Sequence, residues 1–174
     1  MKLVICEKPS VGAAVAAALG VTGKKDGYIE NDKYIISWCI GHLVQLSEAA
    51  AYGEQYKKWS YDSLPILPQE WQYTVAADKG KQFKILKDLM HRADVSEVVN
   101  ACDAGREGEL IFRFVYHQAG CKKPFTRLWI SSMETDAIRS GFEHLKDGRG
   151  YDTLYHSALC RANAILNRKT KKLS

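Results

Sequence analysis

The chain has 174 residues, of which 46% are hydrophobic and 26% are charged. This composition excludes wholesale disorder, and the length is sufficient for one domain with a core of its own. The net charge of +5 falls entirely within residues 161–174, which carry five basic residues and no acid. The rest of the chain is neutral, so charge alone does not predict a nucleic-acid-binding protein.

Hydropathy and cysteine usage limit where such a chain can reside. No run approaches the ~18 to 20 consecutive apolar residues of a membrane span. The apolar start at residues 3–6 breaks at once into Glu7-Lys8-Pro9, which is not a signal peptide. The five cysteines are odd in number and form no CxxC pair, which favours reduced thiols over disulfides or zinc. We therefore expect a cytoplasmic protein with no membrane partner.

The first forty residues predict a strand, a helix and a hairpin. Residues 2–6 form a short apolar run with β-branched side chains, which is typical of a buried strand. Pro9 suits the first turn of a helix over residues 11–19, and Gly20 suits its end. Residues 28–38 predict two strands around an Asn-Asp turn.

The remaining pattern alternates between strands and helices after an irregular stretch over residues 47–70. Such alternation implies βαβ crossovers. The predicted fold class is therefore α/β, a Rossmann-like, mainly parallel sheet flanked by helices with a β-hairpin insertion. The predicted strands cover residues 73–76, 95–101 and 125–130, and the predicted helices cover residues 79–92, 107–118 and 135–145.

Acidic residues follow two of the predicted strands. Glu7 comes directly after the first strand, and Asp103 follows the strand over residues 95–101, with Glu107 four residues later. Ligands gather beyond the carboxyl ends of parallel strands, so the three carboxylates are expected to converge. Their mutual repulsion favours a divalent cation, and oxygen ligands without nearby His or Cys favour Mg²⁺ over zinc.

Basic residues and glycines accompany these acids. Lys8 and Arg106 add positive charge, and Gly105 and Gly108 let the backbone approach a ligand closely. Acids beside cations suit a metal-bridged phosphate better than a sugar or an acyl group.

A structural interpretation of the acids stays open at this point. Asp103 could be an N-cap, Glu107 a first-turn acid favoured by the helix dipole, and Glu7 a solvated residue. The five histidines form no HxxxH pair, so each is predicted to be a packing or surface residue.

Four short blocks of the sequence form a recognisable set. They are LVICEKPS at residues 3–10, GHLVQL at 41–46, ACDAGREGELI at 101–111 and LWISS at 128–132. In order, content and spacing they resemble the Toprim domain of bacterial DNA topoisomerase III, the N-terminal metal-binding module of type IA topoisomerases. The resemblance covers residues 1–162 and implies a Toprim domain there.

The resemblance implies a role for each matching position. Glu7 is expected to serve proton transfer near the scissile phosphate and to contact the metal, and Lys8 to contact that phosphate. Asp103 and Glu107 are expected to ligate Mg²⁺, and Arg106 to assist with phosphates of the DNA backbone.

The sequence departs from the family pattern in two places. The family often has a second Asp at the position of Gly105, so fewer direct protein–metal bonds and more water around the metal are expected. After residue 162, a basic tail over residues 163–174 replaces the family's aspartate-tryptophan stretch. This replacement predicts a truncated or frame-altered product or a cloned fragment, and any DNA affinity of the tail would be non-specific.

Type IA enzymes cut one DNA strand through a tyrosine, pass DNA and reseal the break. The family's tyrosine lies in a later domain within a Pro-Arg-Thr context, which none of the nine tyrosines here has. The resemblance therefore implies that this chain serves cleavage and religation of single-stranded DNA together with the remaining domains of a parent enzyme, and does not cut DNA alone.

Three other functions stay open on the sequence. The same acids would serve a free-standing Toprim nuclease or primase-like enzyme. The basic tail alone would serve a non-catalytic module that binds DNA. A receiver-like domain would accept a phosphate on Asp103.

Overall fold

The computed structural model describes the backbone of residues 1–57 and 65–171, with side chains through residue 165. Within the stretch predicted to be irregular, residues 58–64 lie outside this description. Next to them the chain forms two short 3-10 turns, Ala49–Tyr52 and Glu54–Tyr56.

The described residues form nine strands in two sheets. Their bounds are β1 Lys2–Cys6, β2 Gly23–Lys25, β3 Tyr28–Glu30, β4 Tyr34–Trp38, β5 Val44–Leu46, β6 Tyr73–Val75, β7 Glu97–Ala101, β8 Phe125–Arg127 and β9 Lys146–Asp147. The main sheet has seven strands in the order β2-β3-β4-β1-β7-β8-β9, and β5 pairs with β6 separately. The central strands β4, β1, β7 and β8 are parallel, and the edge strands are antiparallel. The predicted α/β fold with a mainly parallel sheet is confirmed.

The described part of the chain has five helices: α1 Pro9–Leu19, α2 Gly80–His91, α3 Arg106–Gln118, α4 Thr135–Glu143 and α5 Asp152–Lys171, the last packed on α3. Alternate residues of β1 enter opposite cores, because successive strand side chains point to opposite faces. Leu3 and Ile5 pack with side chains of α2 and α3, and Val4 and Cys6 pack with those of α1 and α4. Burial on both faces explains why β1 reads as a continuous apolar run.

Local signals explain the ends of the early elements. Gly20 takes a left-handed conformation with φ of 68° and ends α1. In the turn between β3 and β4, the side-chain oxygen of Asn31 accepts hydrogen bonds from the amides of Lys33 and Tyr34, at 2.9 and 2.8 Å. This turn confirms the predicted hairpin.

The sequence did not predict β2, β5, β9 or α5. Strands β2 and β9 have only three and two residues, all exposed, so they show no apolar alternation. In α5, Ala158 is buried and Tyr155, Leu159 and Ala162 pack against the same core. This helical spacing of apolar residues was an available signal that the sequence interpretation did not use. Helix α5 continues across residue 162, and the domain boundary expected there stays a prediction. None of the described helices combines the length and apolar character needed to cross a membrane.

Candidate functional site

Three loops leave the sheet side by side at its carboxyl edge. Cys6 at the end of β1 is in register with Trp38 of β4 and Ala101 of β7. The segments that follow these strands therefore meet at one edge. There the amide of Gly41 donates a hydrogen bond of 3.3 Å to the carbonyl oxygen of Glu7.

The carboxylate of Glu7 contacts the loop that carries Asp103. Its Oε2 atom accepts a hydrogen bond from the backbone amide of Asp103 at 3.4 Å. Asp103 is exposed, and its own carboxylate has no hydrogen bond or ion pair with the described residues. The structure thus brings together two acids that are 96 positions apart in the sequence.

Glu107 lies in the first turn of α3 and is engaged by an imidazole. Its Oε1 atom lies 2.7 Å from Nε2 of His42. The Lys79 ammonium steadies the His42 loop by donating to the carbonyl oxygens of Ile40 and His42, at 2.8 and 3.2 Å. His42 is a surface residue as predicted, but its contact with an expected metal ligand was missed, although it lies in the GHLVQL block.

The three carboxylates do not form a closed ligand set. Within the described part of the chain, no three His, Cys, Asp or Glu side chains lie close enough together to hold a metal ion. Mg²⁺ in proteins usually binds through one or two carboxylates, with waters and substrate phosphates as its other ligands. Glu7 beside the Asp103 loop provides oxygen donors of this kind, so the residues fit a hydrated hard cation.

The thiol nearest to this loop is unsuited to metal binding. Cys102 is buried, and its Sγ atom lies 3.8 Å from the carbonyl oxygen of Ile5. A hydrogen bond with Cys39 and burial together raise the pKa of the Cys102 thiol well above its ordinary value. The sulfur therefore stays protonated, and the candidate site is an oxygen site.

Two glycines shape the loop in different ways. A Cβ atom on Gly108 would lie 2.1 Å from the carbonyl oxygen of Asp103, so only glycine lets α3 begin this close to the loop. Gly105 has extended backbone with φ of 167°, and a Cβ there would meet no atom within 4 Å. Position 105 therefore has room for a side chain.

Gly105 is also the N-cap of α3, and no side chain in the described part of the protein caps that helix. The interpretation of Asp103 as an N-cap is therefore wrong. The interpretation of Glu107 as a first-turn acid agrees with its position in α3.

The two predicted phosphate contacts are accessible. Lys8 immediately precedes α1, and Arg106 is the first residue of α3. Both side chains are exposed, and neither pairs with another described residue. A cavity of about 420 Å³ opens beside Arg106 and Glu107, and Arg161 and Phe114 are among its other lining residues.

A fully buried arginine lies beneath the Asp103 loop. Nη1 of Arg127 donates to the carbonyl oxygens of Asn100, Cys102 and Leu128, at 3.1, 2.7 and 2.9 Å. Nη2 donates to the carbonyl oxygen of Asp103 at 2.7 Å. Burial lowers the pKa of Arg127, opposed by the neighbouring carboxylate of Glu109.

Glu109 supplies the negative charge for this buried cluster. Its carboxylate lies 3.0 Å from Nε of Arg127, accepts from Nε of Arg113 at 2.8 Å and accepts from Asn100 at 3.0 Å. Arg113 also reaches Asp152 at 2.7 Å. This network was not predicted from the sequence. The Glu109–Arg113 spacing of four residues on an otherwise apolar helix face was the available signal.

The chain is similar to known proteins in both sequence and fold. The sequence profile of the Toprim domain matches residues 2–133. A DNA topoisomerase 3 of Shouchella clausii is 48% identical over 163 residues, and one of Bacillus subtilis is 45% identical over 162 residues. These alignments cover 94% and 93% of this chain, which spans 22% of the length of each relative.

A solved structure shows the same fold at lower sequence similarity. The full-length topoisomerase I of Thermotoga maritima superposes on 83% of this chain with a TM-score of 0.55 and 18% identity. The matched region is 21% of that protein.

Proposed function

The chain belongs to the Toprim domain family, and on that basis we propose that it is the metal-binding domain of a type IA DNA topoisomerase of the topoisomerase III kind. In this proposal Glu7, Asp103 and Glu107 hold Mg²⁺, and Lys8 and Arg106 contact phosphates of single-stranded DNA. The tyrosine that cuts the strand would belong to the remaining domains of the whole protein, which would act in the cytoplasm as an isomerase.

The contact between Glu7 and the Asp103 loop carries the proposal. It joins the ends of β1 and β7, two adjacent parallel strands, at the edge where α/β sheets bind ligands. A solvated acid with no further role at the end of β1 would not need to contact the next loop. The Asp103 carboxylate forms no hydrogen bond or ion pair with the described residues, so it is available to bind a cation.

The residues at this edge are proposed to have different roles in phosphodiester cleavage. Bound Mg²⁺ would offset the charge of a phosphate and hold it in place. Glu7 is proposed to move a proton at the leaving or attacking oxygen, because its carboxylate contacts the backbone of the Asp103 loop. Lys8 and Arg106 are proposed to bind the flanking phosphates through their unpaired cations.

Binding of single-stranded DNA tests this proposal directly. We expect Mg²⁺ to strengthen binding of a fluorescent oligonucleotide to the chain, measured by anisotropy. Glu7→Gln and Asp103→Asn keep the side-chain shape but remove the charge, and should abolish the Mg²⁺-dependent part. Asp88→Asn, which changes an exposed acid of α2 paired with Lys84, is the matched control and should bind as the unaltered chain does.

Three results would instead support the other functions. Strand scission by the chain itself, abolished by Asp103→Ala, would indicate a free-standing nuclease. DNA binding that depends on residues 163–174 and ignores Glu7→Gln and Asp103→Asn would indicate a non-catalytic module. Labelling of Asp103 by a phosphodonor would indicate a receiver-like domain.

A further inference from the structure

Arg127 connects the Asp103 loop to the rest of the fold through one rigid group. Its guanidinium binds the carbonyl oxygens of residues 100, 102 and 103, which span the end of β7 and the start of the loop. It also binds the carbonyl oxygen of Leu128, just after β8. The donors of a guanidinium are fixed in one plane, so these oxygens cannot move independently of each other.

Burial makes these contacts strong. Arg127 is fully buried, and hydrogen bonds from a charged donor in a water-excluded site are stronger than those between neutral groups. Glu109 supplies the opposite charge to Arg127, and it lies on α3, the same helix that carries Glu107. Arg127 therefore couples the loop of one expected metal ligand to the helix of another.

We propose that Arg127 is a positioning residue of the metal site, which fixes the direction in which the Asp103 carboxylate leaves the sheet. It contacts neither metal nor DNA and acts through the backbone of the loop. This inference rests on the proposed function, because it assumes that Asp103 binds a divalent cation.

Arg113 offers a matched comparison within the same buried cluster. Like Arg127 it is buried and pairs with Glu109, at 2.8 Å. Its other hydrogen bonds go to the carbonyl oxygen of Gly148 and to Asp152, not to the Asp103 loop. Substitution of either arginine should lower the free energy of unfolding. Only substitution of Arg127 should change the affinity for Mg²⁺.

The experiment compares Arg127→Lys with Arg113→Lys in the full chain. Each variant keeps the positive charge but replaces the planar guanidinium with an ammonium. Calorimetric titration with Mg²⁺ gives the affinity, and urea unfolding gives the stability. We expect Arg127→Lys to weaken Mg²⁺ binding by about 10- to 100-fold, the usual effect of altering groups that orient metal ligands. Arg113→Lys should leave the Mg²⁺ affinity unchanged.

Two outcomes overturn the inference while the proposed function stands. In the first, the unaltered chain binds Mg²⁺ and Arg127→Lys binds it equally well. In the second, both variants lose affinity in proportion to their loss of stability. If the unaltered chain binds no Mg²⁺, with or without single-stranded DNA, the proposed function fails and the inference fails with it.

A measurement on the unaltered chain covers the case in which Arg127→Lys does not fold. In a Mg²⁺ titration followed by nuclear magnetic resonance, the Asp103 amide and the Arg127 Nε–H signals should shift with one common dissociation constant. The Arg113 Nε–H signal should stay in place. A shift at Asp103 without any shift at Arg127 would contradict the inference.

Discussion

The imidazole of His42 and the carboxylate of Glu107 lie 2.7 Å apart, between the loop after β4 and the first turn of α3. The His42 side chain is 41% exposed and that of Glu107 is 65% exposed. The imidazole therefore contacts a carboxylate that is proposed to hold Mg²⁺.

Removal of this imidazole should make the Glu107 carboxylate more available to bind Mg²⁺. Exposed polar contacts contribute about 1 kcal/mol or less, so we expect His42→Ala to raise Mg²⁺ affinity by up to about fivefold. Calorimetric titration measures the change. In a Glu107→Gln background, His42→Ala should have no effect, and an equal gain there would show that the imidazole acts elsewhere.

Gly105→Asp should strengthen metal binding. Position 105 has extended backbone, and a Cβ atom there would have open space around it, so an aspartate fits without strain. The added carboxylate should raise Mg²⁺ affinity and, through repulsion, lower the melting temperature of the metal-free chain. Gly105→Asn adds similar bulk without the charge and is the control. A gain in affinity equal to that of Gly105→Asn would rule out ligation by the new acid.

Gly108→Ala should disrupt the same loop. The added methyl would lie 2.1 Å from the Asp103 carbonyl oxygen, so we expect a loss of about 1–3 kcal/mol in unfolding free energy. Mg²⁺ binding should weaken as well, because the loop must move. Gly80→Ala, at the first residue of α2, meets no neighbour and should unfold at the same or higher urea concentration.

Glu109→Ala should be among the most destabilising single changes. It leaves Arg113 and Arg127 buried without their shared counter-charge, which typically costs about 3–5 kcal/mol. Urea unfolding gives the value. Asp152→Ala removes only the half-exposed partner of Arg113 and should cost about 1 kcal/mol or less. Equal losses for the two variants would argue against the buried cluster.

The thiols should differ sharply in reactivity. Cys160 is exposed, whereas the other four of the five cysteines are buried. Burial raises the pKa of Cys6, and hydrogen bonding and burial raise that of Cys102, so neither forms a thiolate near neutral pH. A chromogenic disulfide reagent should titrate one thiol rapidly in the native chain and all five in urea. Cys160→Ser should remove the rapid phase.

Features that depend on neighbouring residues in the chain could be predicted from the sequence. The apolar run of β1, the hairpin at Asn31 and the acids after β1 and β7 follow from local patterns and from the parallel order they imply. The contacts of Arg127 and His42 could not be predicted in this way. Arg127 contacts carbonyl oxygens of residues up to 27 positions away, and His42 contacts an acid on α3. Partners of this kind are set by tertiary packing and leave no periodic signal.

The position of β1 in the middle of the sheet has a consequence for biosynthesis. Strand β1 is translated before both of its neighbours, β4 and β7, and β7 ends only at Ala101. At usual translation rates the ribosome takes on the order of ten seconds to make the intervening chain. During that interval one edge of an apolar strand lacks its neighbour and can pair with other chains. We therefore expect nascent chains to depend on chaperones until β7 has emerged, and chains cut short before it to aggregate.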